Sequence, residues 1–283
     1  MAALLALMSS LLWGTADYVG GVVAKRAPAL VVVATTQFLA LLLLVPVVVV
    51  TAAWEAPSGY LPWGIAAGVV GPMALSSFYY ALSIGTMGVV SPIAATGIVV
   101  PVTVGLLRGE RPEPLALVGI VLAAAGIVLA GGPDSRSDAD DSSKHGLRPV
   151  VFALLAALGF GMIYVLLAGG GETSVLMTLV SQRATSVLVV SLPVLVFMGL
   201  HGLNHRDLPT LLGVAVGDVG ANGLFIWSST LGLLSVTAVF GSLYPVVTLL
   251  LARALLGERL TRLQSAGVGV AMVGVCLMAA AGA

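Results

Sequence analysis

Charge is scarce in this chain: 283 residues hold 12 lysines and arginines and 12 aspartates and glutamates, 8% in all. Soluble domains carry roughly a quarter charged residues, so an ordinary water-soluble fold is excluded. The two signs cancel at pH 7, which leaves no basic surface for nucleic acid, and none is expected as a partner. The single cysteine, Cys276, allows no intramolecular disulfide and no thiolate metal site; inside an apolar run it reads as a packing residue. The three histidines, His145, His201 and His205, all fall in segments that read as loops. There is no His-Glu-x-x-His helix, no Gly-x-Ser-x-Gly elbow and no phosphate-binding loop. An intramembrane hydrolase and an ATP-driven pump are therefore disfavoured, no catalytic or metal-binding residue is assigned, and no cofactor is expected. The N-terminus also lacks a basic leader region, and its apolar run continues through Trp13 to Ala24, so it reads as a first span rather than a cleaved signal peptide.

What the chain has instead is apolar length: 59% of its residues are hydrophobic. Runs of about 20 apolar residues match the hydrocarbon thickness of a bilayer. Ten such runs can be placed, at about 2–23, 28–53, 61–83, 87–107 and 113–131, then 147–168, 175–199, 208–231, 235–255 and 261–281. Lipid offers the backbone no hydrogen bonds, so spans must be helices or a closed barrel. Continuous apolar runs do not fit the alternating pattern of a barrel. Multi-pass residence in the cell (inner or plasma) membrane is the expectation.

The ten runs fall into two sets of five at a nearly constant offset of 147 positions. Trp13-Gly14 falls on Phe160-Gly161, Pro46 on Pro193, Phe78 on Phe225 and Gly85 on Gly232. By Gly109-Glu110-Arg111 the offset has become 148, landing on Gly257-Glu258-Arg259. Residues 1–131 and 147–283 thus read as two copies of one unit, joined by a Gly/Ser/Asp-rich flexible linker over 132–146. An odd number of spans per copy inverts the second copy relative to the first, an arrangement that puts a ligand site near the bilayer midplane between repeats. The expected fold is an all-α integral membrane protein: ten transmembrane helices as two inverted five-helix repeats around a central cavity.

Two further patterns bear on that fold. Glycines recur at helical spacing inside the spans, at Gly64/Gly68/Gly71, Gly119/Gly126, Gly213/Gly217/Gly220 and Gly267/Gly274, which predicts close helix–helix faces. Lysine and arginine placement prefers both termini outside, but a Gly-Glu-Arg turn on each face weakens that rule and orientation stays open. The two Gly-Glu-Arg turns read as architectural, each Glu meeting the N-terminus of the helix that follows. The uncharged Gly85–Gly88 and Gly232–Ser235 read as tight turns.

Trp13-Gly14, the paired Gly-Glu-Arg turns and the Pro101 and Pro245 helices together resemble the drug/metabolite transporter superfamily, EamA type, over nearly the whole chain. That resemblance implies ten helices in two inverted repeats and a secondary transporter of small metabolites, often an exporter of amino acids or related compounds. The implied partners are a small-molecule solute, the bilayer and protons as candidate coupling ion; a monomer or weak homo-oligomer is expected. Pro101 and Pro245 sit about one helical turn apart under the offset, so the kinks of the two halves are expected to be unequal.

Three charged residues lie well inside apolar runs: Asp17, Arg183 and Asp218. Each costs roughly 2.5–3.5 kcal/mol at a helix centre on insertion scales, so such groups usually face a cavity or a partner and mark transport pathways. Asp17 lies in Ser9-Ser10…Trp13-Gly14…Asp17…Gly20-Gly21, which puts small and polar residues at three-to-four spacing on one face of the first helix. It reads either as a carboxylate that exchanges a proton for substrate or as a cap or ion pair near the membrane surface. Asp218 and Asn222 stand one turn apart, and Arg183 lies in the preceding span at a compatible depth. An Arg183–Asp218 pair reads as a permanent tie between two helices. Alternatively Arg183 holds a substrate carboxylate with its planar fork of donors, while Asp218 and Asn222 bind an ammonium or amide. Trp13, Tyr80, Trp227 and Tyr244 are candidate cavity lining, Tyr80 and Trp227 being repeat equivalents. Trp54, Tyr60 and Trp63 flank a loop and read as an interfacial belt. A proton-coupled exporter of amino-acid-like or drug-like solutes is the leading expectation. A facilitative or exchange carrier is the alternative, with a channel or membrane scaffold a more distant class.

Overall fold

With no water to bond the backbone, an apolar chain satisfies its N–H and C=O groups along helices, and the computed structural model is helical throughout its regular structure. It describes residues 1–24, 26–84, 93–130, 147–256 and 261–281. Lys25, the Gly85–Gly88 turn, the linker 132–146 with His145, and the Gly257-Glu258-Arg259 turn lie outside the described residues. The helices are α1 (Ala2–Ala24), α2 (Ala29–Thr51), α3 (Leu61–Ile84), α4 (Val99–Leu107), α5 (Pro114–Ala130), α6 (Leu147–Gly171), α7 (Val175–Ser186), α8 (Leu192–Met198), α9 (Leu208–Leu231), α10 (Leu234–Gly241), α11 (Tyr244–Leu256) and α12 (Arg262–Ala280).

Seven helical stretches among the described residues are long and apolar enough to cross a membrane: Ala2–Ala24, Ala29–Thr51, Ser58–Ala81, Leu147–Gly171, Val175–Met198, His205–Leu231 and Arg262–Ala280. Ile93–Leu107, Pro114–Ala130 and Leu234–Thr248 are apolar but shorter. The expected run 87–107 begins outside the described residues, and 113–131 ends at their edge. The run 235–255 is interrupted at Ser242 and Leu243, just before Tyr244 and Pro245 open α11. Pro245 then stands in a first helical turn, where its missing N–H costs nothing. Pro193 is accommodated differently, by a π-helical turn over Val187–Ser191 that joins α7 to α8.

The helices pack in crossed pairs. Contacts between α1 and α9 run from Ala2–Ser228 through Ser9–Ala221 and Gly20–Val214, so the two are antiparallel. Those between α3 and α6 run from Trp63–Gly169 through Ala74–Gly159 to Ala81–Ala153, also antiparallel. In repeat terms, the first helix of each copy lies on the third helix of the other. Gly14 and Gly161 show why the paired Trp-Gly and Phe-Gly positions need glycine. A Cβ on Gly14 would lie 2.7 Å from the Tyr244 carbonyl oxygen, and one on Gly161 would lie 2.7 Å from Val100 Cβ. Gly14 thus seats α11, and Gly161 seats α4. The outer face carries large apolar side chains such as Val50, Leu107 and Phe197, all more than 80% exposed, as contact with lipid tails requires.

The glycine faces differ in tightness. Along α5 and α12, a Cβ on Gly267 would lie 2.8 Å from Ala130 Cα, and one on Gly119 would lie 2.7 Å from the Gly274 carbonyl oxygen. Gly213 has nothing within 4 Å of that position. Gly267→Ala should therefore destabilise the protein by about 1–3 kcal/mol through overpacking. Gly213→Ala should be neutral or stabilising by up to about 1 kcal/mol, from helix propensity. Thermal unfolding in detergent checks both, and equal effects would contradict a tight α5–α12 seam.

Candidate functional site

Arg183 reaches the middle of the molecule from α7 and is 2% exposed. The segment Thr178–Ser186 is polar on the side that faces inward: Thr178, Ser181, Gln182, Arg183 and Ser186 are all buried. Ser186 donates from Oγ to the Gly68 carbonyl at 2.9 Å, and a Cβ on Gly64 would lie 2.8 Å from Ser181 Cβ. Glycines on α3 thus let α7 come close enough to carry Arg183 inward.

At that depth Arg183 Nη2 lies 2.8 Å from Asp218 Oδ2 of α9. The approach is an ion pair by distance but does not meet hydrogen-bond geometry, and neither Nη2 nor Nε has a hydrogen-bond partner among the described residues. Nη1 donates to Gln37 Oε1 of α2. The other carboxylate oxygen, Asp218 Oδ1, accepts from Asn222 Nδ2 at 2.8 Å and from Trp13 Nε1 at 3.3 Å. Asn222 Nδ2 also donates to the Asp218 carbonyl at 2.6 Å. One guanidinium, one carboxylate, two amides and an indole thus join four helices drawn from both halves of the chain.

Asp17 lies one turn beyond Trp13 on α1 and is part-buried. It interacts electrostatically with Asp218, Tyr79, Tyr164 and Tyr244, yet it makes no hydrogen bond or ion pair with another described residue. A second carboxylate, Asp17, therefore stands near the Arg183–Asp218 pair on the Asp218 side and has no cation paired with it among the described residues. The group carries an unbalanced negative charge until a proton or a cationic ligand group joins it.

An aromatic layer adjoins this group. Trp13 meets Tyr164 edge-on, with ring centroids 5.5 Å apart, and Phe225 at 5.8 Å. Phe160, the repeat equivalent of Trp13, meets Phe78, the equivalent of Phe225, at 5.6 Å. Tyr164 and Ser242, the latter in the break between α10 and α11, line one small space. Tyr244 and Pro245 line a space with Gly97, Phe160, Gly161 and Tyr164 whose volume is about 10 Å³. That holds about one water molecule and no metabolite.

The structure gathers Trp13, Asp17, Arg183, Asp218 and Asn222, with Tyr244 at the edge, from the residues singled out in the sequence. Tyr80 and Trp227 stand elsewhere. They are 45% and 50% exposed, and Tyr80 packs edge-on against Phe152 at 4.6 Å. Successive helix residues differ by about 100°, so the adjacent pair turns inward instead. Tyr79 places its hydroxyl 3.4 Å from where a Gly20 Cβ would stand, and its equivalent, Ile226, is fully buried. Repeat equivalence found matching positions without finding which face they occupy. Gln37 was not singled out, although the run Thr35-Thr36-Gln37 inside an otherwise Val/Leu-rich span was its visible signal. Among the belt candidates, Trp54 is exposed, while Arg108 lies 5.8 Å over the ring of Trp63 and Tyr60 is buried.

Glu110 sits where the sequence reading did not put it. Its carboxylate accepts from the backbone N–H groups of Leu234 and Ser235, at 2.6 and 2.9 Å. It caps α10 in the other half rather than α5, the helix that follows it, because the crossed packing brings α10 beside the α4–α5 turn.

The sequence matches the model of the EamA-like transporter family over residues 1–132 and 147–280. A curated protein of Pseudomonas aeruginosa, described as uncharacterized protein PA1977, is 29% identical over 203 residues. The match covers 70% of this chain and spans 65% of that protein's length. A solved crystal structure whose description gives no function superposes with a TM-score of 0.77 at 16% identity, covering 98% of this chain and 95% of the other. That likeness speaks to the fold.

Proposed function

The chain belongs to the EamA-like transporter family of the drug/metabolite transporter superfamily, and on that premise we propose that it is a secondary active transporter that exports amino-acid-like or drug-like solutes in exchange for protons. The observation that carries the reading is the unpaired carboxylate of Asp17 beside the Arg183–Asp218 ion pair. Asp218 is held by Arg183, Asn222 and Trp13, which leaves Asp17 to take a proton or to meet a cationic group of the cargo. Arg183 Nη2 is engaged by Asp218, but Nε has no hydrogen-bond partner among the described residues and is a donor suited to an anionic group on the same cargo.

Alternating access follows from the same architecture. The crossed, antiparallel pairing of α1 with α9 and α3 with α6, and the matched Trp13–Phe225 and Phe160–Phe78 contacts, support two five-helix copies of opposite orientation and ten crossings in all. The space beside Tyr164 and Tyr244 is too small for cargo, so solute enters only when the helices around it separate. Pseudo-symmetric copies supply two equivalent ways of separating, one toward each face.

Counterflow in proteoliposomes tests this directly, with a panel of amino acids, nucleobases and cationic drugs at two imposed pH gradients. The proposal expects saturable counterflow for some members, with net movement that follows the gradient. Gradient-insensitive exchange would identify a facilitative carrier, flux without saturation or counterflow a channel, and no flux a scaffold.

A further inference from the structure

We propose that Glu110 is the latch of a gate that closes one face of the protein, an inference that rests on the alternating-access reading above. The latch joins the two copies: Glu110 follows α4 in the first, and Leu234 and Ser235 open α10 in the second. Both carboxylate oxygens are used, each accepting one N–H from the free end of a helix whose dipole favours a negative charge. Charge-assisted bonds of this kind are the stronger class.

The surroundings fit a contact made and released as a unit. Gly105, one turn before the α4–α5 turn, has no room for a side chain: a Cβ there would lie 2.8 Å from Glu110 Cδ and 3.1 Å from the Ser235 nitrogen. Beneath the carboxylate, Ser235 is fully buried, and its Oγ has no hydrogen-bond partner among the described residues. Gly232, Leu233 and Val236 of the same turn line a cleft of about 340 Å³ with Met1, Arg111 and Glu113. Space for the α10 end to move therefore lies directly beside the latch. The opposite end of the bundle has its own cross-copy tie, Arg26 Nη2 to Asp207 Oδ1 at 2.5 Å. Both faces are closed together here, and movement of cargo requires one tie to open while the other holds. The α10 end is a member of the gate because α10 leads straight into the break at Ser242 and Leu243, where Ser242 shares a small space with Tyr164 and Tyr244.

The test reads accessibility and needs no transport. In full-length protein with Cys276→Ala, Ser235→Cys or Ser191→Cys is introduced singly; both serines are fully buried, and Ser191 lies far along the chain in the α7–α8 turn. Alkylation by a membrane-impermeant maleimide is then followed in proteoliposomes with and without Glu110→Ala. The latch predicts that Glu110→Ala speeds alkylation at Ser235→Cys by roughly tenfold or more and leaves Ser191→Cys unchanged. Glu110→Gln, which keeps one acceptor oxygen, should fall between. No acceleration at Ser235→Cys, or equal acceleration at both positions as a loosened fold would give, overturns the latch. Selective acceleration in a protein that moves no solute would keep the latch and remove the transporter reading instead.

Discussion

Asp17→Asn should abolish pH-gradient-driven accumulation while leaving solute-for-solute counterflow largely intact. The carboxylate makes no hydrogen bond or ion pair with another described residue, so an isosteric amide removes the titrating proton without breaking a contact. Stability should therefore not fall, and the melting temperature in detergent should stay within about 2 °C of wild type. A capping or ion-pairing role predicts the opposite pattern, with lost stability and unchanged coupling. Comparison of accumulation under an imposed gradient with counterflow at equal pH separates the two. Intact gradient-driven accumulation in Asp17→Asn would remove Asp17 from the coupling step.

The second large effect concerns the ion pair. Asp218→Asn keeps an oxygen for the Trp13 and Asn222 hydrogen bonds but leaves the Arg183 charge unpaired at 2% exposure. Breaking a buried pair on one side costs roughly 3–5 kcal/mol. For a chain of this size that is a fall in melting temperature of about 6–12 °C, measured in detergent. The reversed pair, Arg183→Asp with Asp218→Arg, should recover much of that stability. It should not recover transport, because the donors proposed to meet the cargo then project from α9 instead of α7. Full transport by the reversed pair would make Arg183–Asp218 a structural tie only.

Much of this site was legible because charge inside an apolar run is conspicuous. Asp17, Arg183 and Asp218 stand out against their spans, and Trp13 and Asn222 follow from helical spacing. Helix bounds were also close: 2–23 became Ala2–Ala24, and 208–231 became Leu208–Leu231. What periodicity left out was direction and partner. Tyr79 and Tyr80 differ only in helix phase, and no local pattern says which side of α3 meets α1. Glu110 and Leu234 are separated by 124 positions, and their contact depends on how the two copies interlock. Gln37 shows the remaining limit, since an amide reads as unremarkable until a guanidinium is brought against it. The break at Ser242 and Leu243 was legible only in part: Pro245 marked a kink, but nothing local said that the helix stops ahead of it.

The central claim, a proton exchanged for cargo at Asp17 beside a paired Arg183 and Asp218, is tested most directly by measuring both fluxes in the same vesicles. Proteoliposomes loaded with a pH-reporting dye and a solute that passes the counterflow panel would be given an outward solute gradient at equal starting pH. The account predicts that solute efflux drives proton entry in wild type, and that Asp17→Asn shows solute exchange with no proton movement. Solute efflux from wild type without any change in internal pH would contradict it.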